Sequence, residues 1–362
     1  DTDGQSYETF DYANYYYSYY RAAISASGND VYAAWCNYDI ESGQYQIKFS
    51  SSSNSGTSWS TPIIISSDDS NANSFAPTII SSGDEVYVAW QERYDTGTTF
   101  NYNIVTKASD DNGDSWDSAV TVTSNDGTNY IPELGYSNNI VHLTWHAFSR
   151  EGDSKYTIEY ANSDDRGQSW TRTVLKSPDV STDWAWFPNI DTDGSYVYVI
   201  WQDDGNEDGD DTYDFDVVGI VSDDNGETWS DVKLIADSGS DNNNYYTLPA
   251  VASANGFAYV TYQETDGSDF EHRFVLTQDN GETWSESFPV NDGHVNNYAK
   301  MDLAIDEKAY FAYYEDNDRF DEEHDDFDIV LRATLEEGYP TNPTINLDGG
   351  SDDWEWPGEI NQ

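Results

Sequence analysis

The sequence has few basic residues and no long apolar run, and each shortage excludes a class of protein. Lys and Arg number 15 against 69 Asp and Glu, which gives a formal net charge of −54. A surface this acidic repels nucleic-acid phosphates and anionic membranes. No apolar run approaches the roughly 20 residues of a membrane-spanning helix. We therefore expect neither a nucleic-acid partner nor insertion into a membrane.

Cysteine is also scarce. Cys36 is the only one, so no disulfide can form within the chain. The chain begins at Asp1 without a leader segment, which we interpret as the mature or trimmed form of an exported protein, extracellular or at the cell surface. The acidity fits a halophilic or marine protein that stays soluble in high salt. It would also attract cations or basic partners.

Aromatic residues are abundant. They make up 15% of the chain, with 29 Tyr and 13 Trp. Disordered acidic chains lack aromatic residues, so we expect a folded protein. The mixture of Tyr, Trp, Thr, Val and Ile favours strands and predicts an all-β fold.

An octet that ends in Trp occurs five times. Its copies are SSNSGTSW (52–59), SDDNGDSW (109–116), SDDRGQSW (163–170), SDDNGETW (222–229) and TQDNGETW (277–284). The Trp residues recur at intervals of about 55 residues, and a fixed period of this size in a strand-rich chain is typical of a β-propeller.

Each octet belongs to a longer repeated unit. Upstream lies an alternating strand such as VYVAW (86–90), which follows a short strand usually opened by Pro; a further strand follows the octet. Period-two alternation supports strands throughout. Six copies of the alternating strand predict six units of four antiparallel strands, A to D in chain order, with the octet as the C–D turn.

The sixth unit lacks both the octet and an obvious strand D. Segment 6–12 (SYETFDY) precedes the first strand A by about the spacing expected of a strand D. We predict that it forms the outer strand of the last unit and closes the ring. A closed ring leaves only short, protected strand edges.

The octets resemble the Asp-box, or BNR repeat, of the sialidase-like β-propellers, and we use the name Asp-box for them. The resemblance covers residues 6–336 and implies a six-bladed β-propeller of four-stranded antiparallel blades, with residues 1–336 as the propeller domain. Segment 337–362 is dense in Pro, Gly and Asn. It predicts a linker, or the start of a further β-module in a longer surface protein.

The Asp-box residues are predicted to be structural. The Asp side chain can accept hydrogen bonds from its own turn, the Gly can adopt positive φ, and the Trp can pack between blades. The residues concerned are Asp111, Asp165, Asp224, Asp279, Trp116, Trp170, Trp229 and Trp284. Calcium binding is the rival interpretation, but each box offers too few oxygens for a full coordination shell.

Strand order places the Asp-boxes and A–B turns at one face of the ring, the box face. The B–C loops and D–A links lie at the other face, the mouth face. The D–A links are rich in Tyr, Trp and Asn, whose rings stack on sugars and whose amides and hydroxyls bond to sugar hydroxyls. The candidate ligand-binding residues are Tyr20, Tyr130, Trp184, Trp186, Tyr246 and Gln202. Alternatively, these aromatic side chains fill the joins between blades.

The B–C loops are acidic, and carboxylates interspersed with Gly and Asn suit Ca²⁺. The candidate metal ligands are Asp203, Asp204, Asp208, Asp210, Asp316 and Asp318. A solvated acidic rim without bound metal is the alternative.

Active sialidases, which this chain resembles in fold, need three arginines for the substrate carboxylate, an Asp acid/base and a Tyr–Glu nucleophile pair. By position, Arg21 matches the first arginine, Asp39 the acid and Tyr298 the nucleophile. Gln202 stands at the place of the second arginine, and Arg273 lies several residues beyond the place of the third. The incomplete triad argues against true sialidase activity.

Two functions remain open. One is a propeller module that binds glycans or another extracellular partner, as part of a longer modular protein or of a surface assembly. The alternative is a glycan-cleaving enzyme, a glycoside hydrolase or polysaccharide lyase. In that enzyme two carboxylates, such as Asp39 with Asp203 or Glu264, would act as acid and base.

Overall fold

The structure is a computed structural model. It describes residues 21–40, 42–67, 72–95, 100–123, 127–149, 155–177, 184–204, 215–238, 245–265, 270–290, 302–305, 309–316, 327–334 and 340–347. Within these residues the chain forms strands and no helix, which confirms the all-β prediction. The strands fall into successive units of four.

The first three units span Ala22 to Lys176. The first contains Ala22–Ser27 (β1), Asp30–Asp39 (β2), Gln44–Ser52 (β3) and Ile63–Ile64 (β4). The second contains Ala72–Ser82 (β5), Glu85–Asp95 (β6), Phe100–Ser109 (β7) and Val120–Thr121 (β8). The third contains Thr128–Ser137 (β9), Ile140–Ser149 (β10), Lys155–Ser163 (β11) and Thr171–Lys176 (β12).

The later units repeat this pattern. The fourth contains Ala185–Asp193 (β13), Tyr196–Asp203 (β14), Asp216–Ser222 (β15) and Lys233–Ala236 (β16). The fifth contains Tyr245–Ala254 (β17), Phe257–Thr265 (β18), Phe270–Thr277 (β19) and Phe288–Pro289 (β20). The last contains Asp302–Ile305 (β21), Ala309–Asp316 (β22), Phe327–Thr334 (β23) and Pro340–Leu347 (β24).

Each unit is an antiparallel sheet in which strands adjacent in sequence pair with each other. The second and third units join into one larger sheet through a parallel pairing of Tyr102 in β7 with Thr128 in β9. The predicted four-stranded antiparallel sheets are therefore present.

The first strands of consecutive units lie side by side. Strand β1 contacts β5, β5 contacts β9, β9 contacts β13, β13 contacts β17, and β17 contacts β21. A buried apolar cluster fills each of these joins; between the first two units, for example, Tyr32 and Phe49 pack with Ile79, Val88 and Trp90. Alternation explains the clusters, because one side of each strand faces the preceding unit and the other side faces the next.

The last unit differs from the sequence prediction. Its fourth strand is β24, which pairs with β23 from Ile329↔Leu347 to Thr334↔Pro340. The edge that the sequence analysis assigned to segment 6–12 is therefore occupied by β24, and residues 6–12 lie outside the described residues. The linker prediction for 337–362 is corrected at 340–347. An edge strand tolerates Pro343 because a residue there need not donate to a further strand, whereas the proline content suggested a linker.

Candidate functional site

In each of four Asp-boxes the carboxylate closes its own turn. Asp111 Oδ1 accepts the Ser115 N–H at 2.8 Å, and Oδ2 accepts the Ser115 hydroxyl at 2.6 Å. Ser109 Oγ donates to Asp111 and accepts the Gly113 N–H. The same bonds recur around Asp165, Asp224 and Asp279. These are the hydrogen bonds predicted for the boxes, and they hold the pKa of each carboxyl below its usual value.

Each of these boxes also packs on the preceding unit. The Trp116 ring meets Phe49 edge-on at 4.9 Å between centroids, and Trp229 meets Tyr160 at 4.8 Å. Trp170 packs against the apolar cluster between the second and third units, and Trp284 packs against the cluster between the fourth and fifth units. The box tryptophans therefore connect neighbouring units.

The Asp-boxes lie beside the A–B turns. The backbone N–H of Ser55 bonds to the Asn29 carbonyl, and that of Asn112 bonds to the Asp84 carbonyl. This geometry confirms the predicted box face. The opposite strand ends, where β2, β6, β10, β14 and β18 finish, form the mouth face.

At the mouth face, rings from the second, third and fourth units contact one another. We give the name aromatic arc to seven of them: Tyr102, Tyr130, His146, Tyr156, Trp186, Trp184 and Phe215. Tyr130 stacks on His146 with centroids 5.3 Å apart, and Trp184 stacks on Trp186 at 5.1 Å. Tyr130, Tyr156 and Trp184 are half-buried, so part of each side chain faces solvent.

The sequence analysis found Tyr130, Trp184 and Trp186 but missed the other four members. Tyr102, His146, Tyr156 and Phe215 lie at the mouth-side ends of strands B and C rather than in D–A links. The sequence pattern that could have identified them is an aromatic or imidazole side chain at the end of a predicted strand, next to a B–C loop.

His146 lies near the centre of the arc and is only 6% exposed. Burial lowers the pKa of this imidazole to about 3, so it is neutral at physiological pH. Among the described residues, its Nδ1 has no hydrogen-bond partner. The ring therefore contributes to the arc as a flat, uncharged surface.

Gln202, predicted as a ligand contact, lies instead in a join between units. It is 2% exposed, and its Oε1 accepts the Leu248 N–H at 3.1 Å. Gln91 does the same for the Ile131 N–H of the next unit at 3.3 Å. Leu248 and Ile131 each precede Pro and have positive φ, 53° and 52°. The glutamines thus support an irregular, bulged stretch of backbone within strand A of the next unit.

Tyr246, another predicted contact, is also buried. It is 8% exposed, and its ring lies 4.7 Å from that of Tyr262. Burial raises the pKa of its hydroxyl above the ordinary range. Tyr246 therefore fills a join between units, as the alternative interpretation of these aromatics held. The remaining candidate, Tyr20, lies outside the described residues.

The guanidinium of Arg21, the candidate for a substrate-binding arginine, is bound by other parts of the protein. Its guanidinium pairs with Glu133 and donates to the Pro132 carbonyl at 2.6 Å and to the Pro77 carbonyl at 3.1 Å. Glu133 in turn accepts the Thr78 hydroxyl. Arg21 thus connects the first unit to the next two across their inner strands.

Two of the candidate catalytic acids have structural partners. Asp39 Oδ2 accepts the Ser42 N–H at 3.1 Å and so closes the first B–C turn. Asp203 is fully buried, accepts the Trp201 indole N–H and lies 3.7 Å from Lys176 Nζ. Asp203 is therefore not placed to meet a substrate. Tyr298 lies outside the described residues.

Glu264 belongs to a charged cluster in the fifth unit. Burial raises the pKa of its carboxyl, while the nearby Arg273 guanidinium opposes that shift. Arg273 Nη1 lies 3.1 Å from Glu264 and 2.7 Å from Glu271. One guanidinium thus holds two carboxylates on neighbouring strands.

The described residues contain no group of three potential metal ligands placed to hold an ion. Asp203 and Asp204 are buried at the end of β14. Asp208, Asp210, Asp318 and the side chain of Asp316 lie outside the described residues. The search of the described part of the chain also found no helix able to span a membrane.

Solved structures with a similar fold include glycan-acting proteins. A protein of unknown function from Dyadobacter fermentans has a TM-score of 0.56 at 12% identity, over 84% of this chain and 92% of that one. The phage phi92 endosialidase has a TM-score of 0.55 at 12% sequence identity, over 95% of this chain and 70% of that one. An alpha-L-arabinanase from Penicillium chrysogenum, complexed with arabinobiose, has a TM-score of 0.53 at 15% sequence identity, over 82% of this chain and 88% of that one. No protein-family model and no curated protein matches the sequence. At these identities the likeness shows the fold alone, and that fold is a sialidase-like β-propeller.

Proposed function

We propose that the protein is an extracellular or cell-surface propeller that binds glycans on the aromatic arc. The observation that carries the proposal is the arc itself, with contacting rings from three units at the mouth face. Half-buried rings present flat apolar faces to the C–H faces of a sugar, and tyrosine hydroxyls can bond to its hydroxyl groups. Several sugar-binding surfaces side by side suit an oligosaccharide rather than a single sugar.

Binding is favoured over cleavage by the state of the candidate catalytic groups. Asp203 is buried against Lys176, Asp39 accepts hydrogen bonds from its own turn, and Arg21 is paired with Glu133. A general acid needs a free carboxyl within reach of the scissile bond. The alternative, a glycoside hydrolase or polysaccharide lyase, is favoured by the glycan-acting enzymes of similar fold and would rest on Glu264.

We also propose six blades in a closed ring. Ile24 and Trp59 of the first unit occupy the positions of Ile79 and Trp116 in the second, which are packed on the preceding unit. Ile24 is 63% exposed and Trp59 is 42% exposed. Closure would cover this side with the last unit, whose Tyr310 side chain is 39% exposed. Calcium in the acidic B–C loops and membership of a longer surface assembly are further proposals from the sequence.

A glycan-array screen combined with product analysis tests the proposed function. We expect binding without release of shorter products. Trp184→Ala should reduce binding, while Trp59→Ala, which alters a tryptophan of the box face, should not. Turnover that Glu264→Gln or Asp39→Asn abolishes would replace the binding function with the enzymatic alternative.

A further inference from the structure

We infer that the mouth face selects neutral glycans and rejects anionic ones. The inference rests on the proposed function and names its substrate class. It depends on the partners of the basic side chains at this face, because a uronate or sialate carboxylate needs a cation or several N–H donors to replace its hydration.

Arg21 reaches the part of the third unit that carries the arc, since it bonds to the carbonyl of Pro132, two residues after Tyr130. Its three donor nitrogens are all directed at protein oxygens, on Glu133, Pro132 and Pro77. The positive charge of this guanidinium is thus already balanced by the Glu133 carboxylate, which is largely buried. A sugar carboxylate would have to share the guanidinium with Glu133 and would be repelled by it, or would have to displace Glu133 and leave that buried carboxylate without its counter-charge.

Three other basic groups that the structure describes at this face are also engaged. Arg273 bridges Glu264 and Glu271, and its Nε donates to the Ser287 hydroxyl at 2.8 Å. Lys176 lies beside the buried Asp203. Arg93, at the mouth-side end of β6, also has a partner. Each of these described cations is thus matched by at least one carboxylate or by another protein group.

The surrounding charge adds to this local effect. The chain carries a formal net charge of −54, so an approaching anion meets a repulsive potential. Stacking of a ring on a sugar C–H face needs no counter-charge. A neutral glycan should therefore bind with little dependence on salt, whereas the penalty for an anionic glycan should shrink as salt screens the charges.

The test compares neutral polysaccharides with their carboxylated counterparts. Soluble β-glucan, galactan and mannan are each measured beside the same polymer after oxidation of the C6 hydroxyl to a carboxylate, by calorimetry at low and high NaCl. We expect at least one neutral polymer to bind and its oxidised form to bind about tenfold more weakly or worse at low salt. We expect the difference to narrow at high salt.

Two matched variants locate the effect. Glu133→Gln removes the counter-charge of Arg21 and keeps an acceptor for Thr78, so it should improve binding of the oxidised polymer several-fold, with little change for the neutral one. Glu282→Gln makes the same charge change beside Lys233 in an Asp-box and should leave both affinities unchanged. Thermal melting verifies that both variants are folded.

The outcomes separate the inference from the function on which it rests. Oxidised polymers that bind as tightly as neutral ones, or more tightly, overturn the charge selection and leave glycan binding intact. Equal effects of Glu133→Gln and Glu282→Gln overturn the assignment to Arg21. A folded protein that binds none of the polymers contradicts the proposed function itself.

Discussion

The two faces of this molecule are built in opposite ways. At the box face, four turns repeat the same hydrogen bonds almost to the atom, from Asp111 to Asp279. At the mouth face, equivalent positions carry different side chains: Gln91 and Gln202 support the backbone, while His146 joins a cluster of rings. Repetition at one face serves the joins between units, whereas the side chains at the other face vary from unit to unit, and it is there that we propose a ligand binds.

The largest expected effect tests the box face through its glycines. Gly226 has φ +85°, and a Cβ there would overlap the Tyr160 hydroxyl of the preceding unit. Gly226→Ala should lower the free energy of unfolding by about 3 kcal/mol, from backbone strain and overpacking together. Denaturant unfolding provides the measurement.

Gly167→Ala is the matched control for that substitution. Gly167 occupies the same place in its own box, with φ +78°, but its nearest contact would be Trp170 at an ordinary 3.6 Å. It should cost only about 1 kcal/mol, from strain alone. Equal losses in the two variants would show that packing on the preceding unit contributes nothing to the role of the box.

The next effect concerns a mouth-face residue assigned to support. Gln202→Leu removes the acceptor of the partly buried Leu248 N–H and should cost about 2 kcal/mol of unfolding free energy. Glycan affinity should stay unchanged, because Gln202 is buried away from solvent. A loss of affinity in a variant of normal stability would return Gln202 to the binding site.

A smaller effect compares tryptophans on the two faces. Trp184→Ala should weaken glycan binding about tenfold, which corresponds to about 1.4 kcal/mol. Trp59→Ala, on the box face, should leave affinity unchanged. Calorimetric titration with the best neutral ligand gives both values, and similar losses in the two variants would remove the distinction between the faces.

The smallest effect contrasts two kinds of carboxylate. Asp191, in the inner strand β13, is held by Ser253 of the next unit, and burial raises its pKa to about 6. In the folded protein the Asp191 carboxyl keeps its proton up to about pH 6, whereas in the unfolded chain it ionises near pH 4. The folded state therefore loses stability relative to the unfolded chain as pH rises from about 4 to 6. Asp191→Asn does not titrate, so its melting temperature relative to the native protein should rise by about 2 °C between pH 4 and pH 7.

The box carboxylates should respond in the opposite direction. The Thr228 hydroxyl and N–H lower the pKa of Asp224, so its stabilising effect is present above pH 4 and is lost as pH falls further. The loss of unfolding free energy in Asp224→Asn, relative to the native protein, should therefore be largest near pH 7 and should become smaller below pH 4. Parallel pH profiles for the two variants would contradict the assigned roles.

The predictability of each feature from sequence follows the range of its interactions. The Asp-boxes and the box face were predictable because their hydrogen bonds stay within a few residues and recur in every copy. Strand β24 was not, because its proline-rich composition indicates a linker until β23 supplies a pairing edge. The contacts of Gln202 and Arg21 were not predictable because their partners, the Leu248 N–H and Glu133, belong to other units. Such distant partners leave no local signal in the sequence.

The most direct test of this account is a crystal structure with the tightest-binding neutral oligosaccharide. We predict sugar rings stacked on Trp184 and Tyr130 at the mouth face, with the Arg21–Glu133 pair intact. Sugar bound at the Asp-boxes, or a ligand carboxylate in place of Glu133 on Arg21, would contradict it.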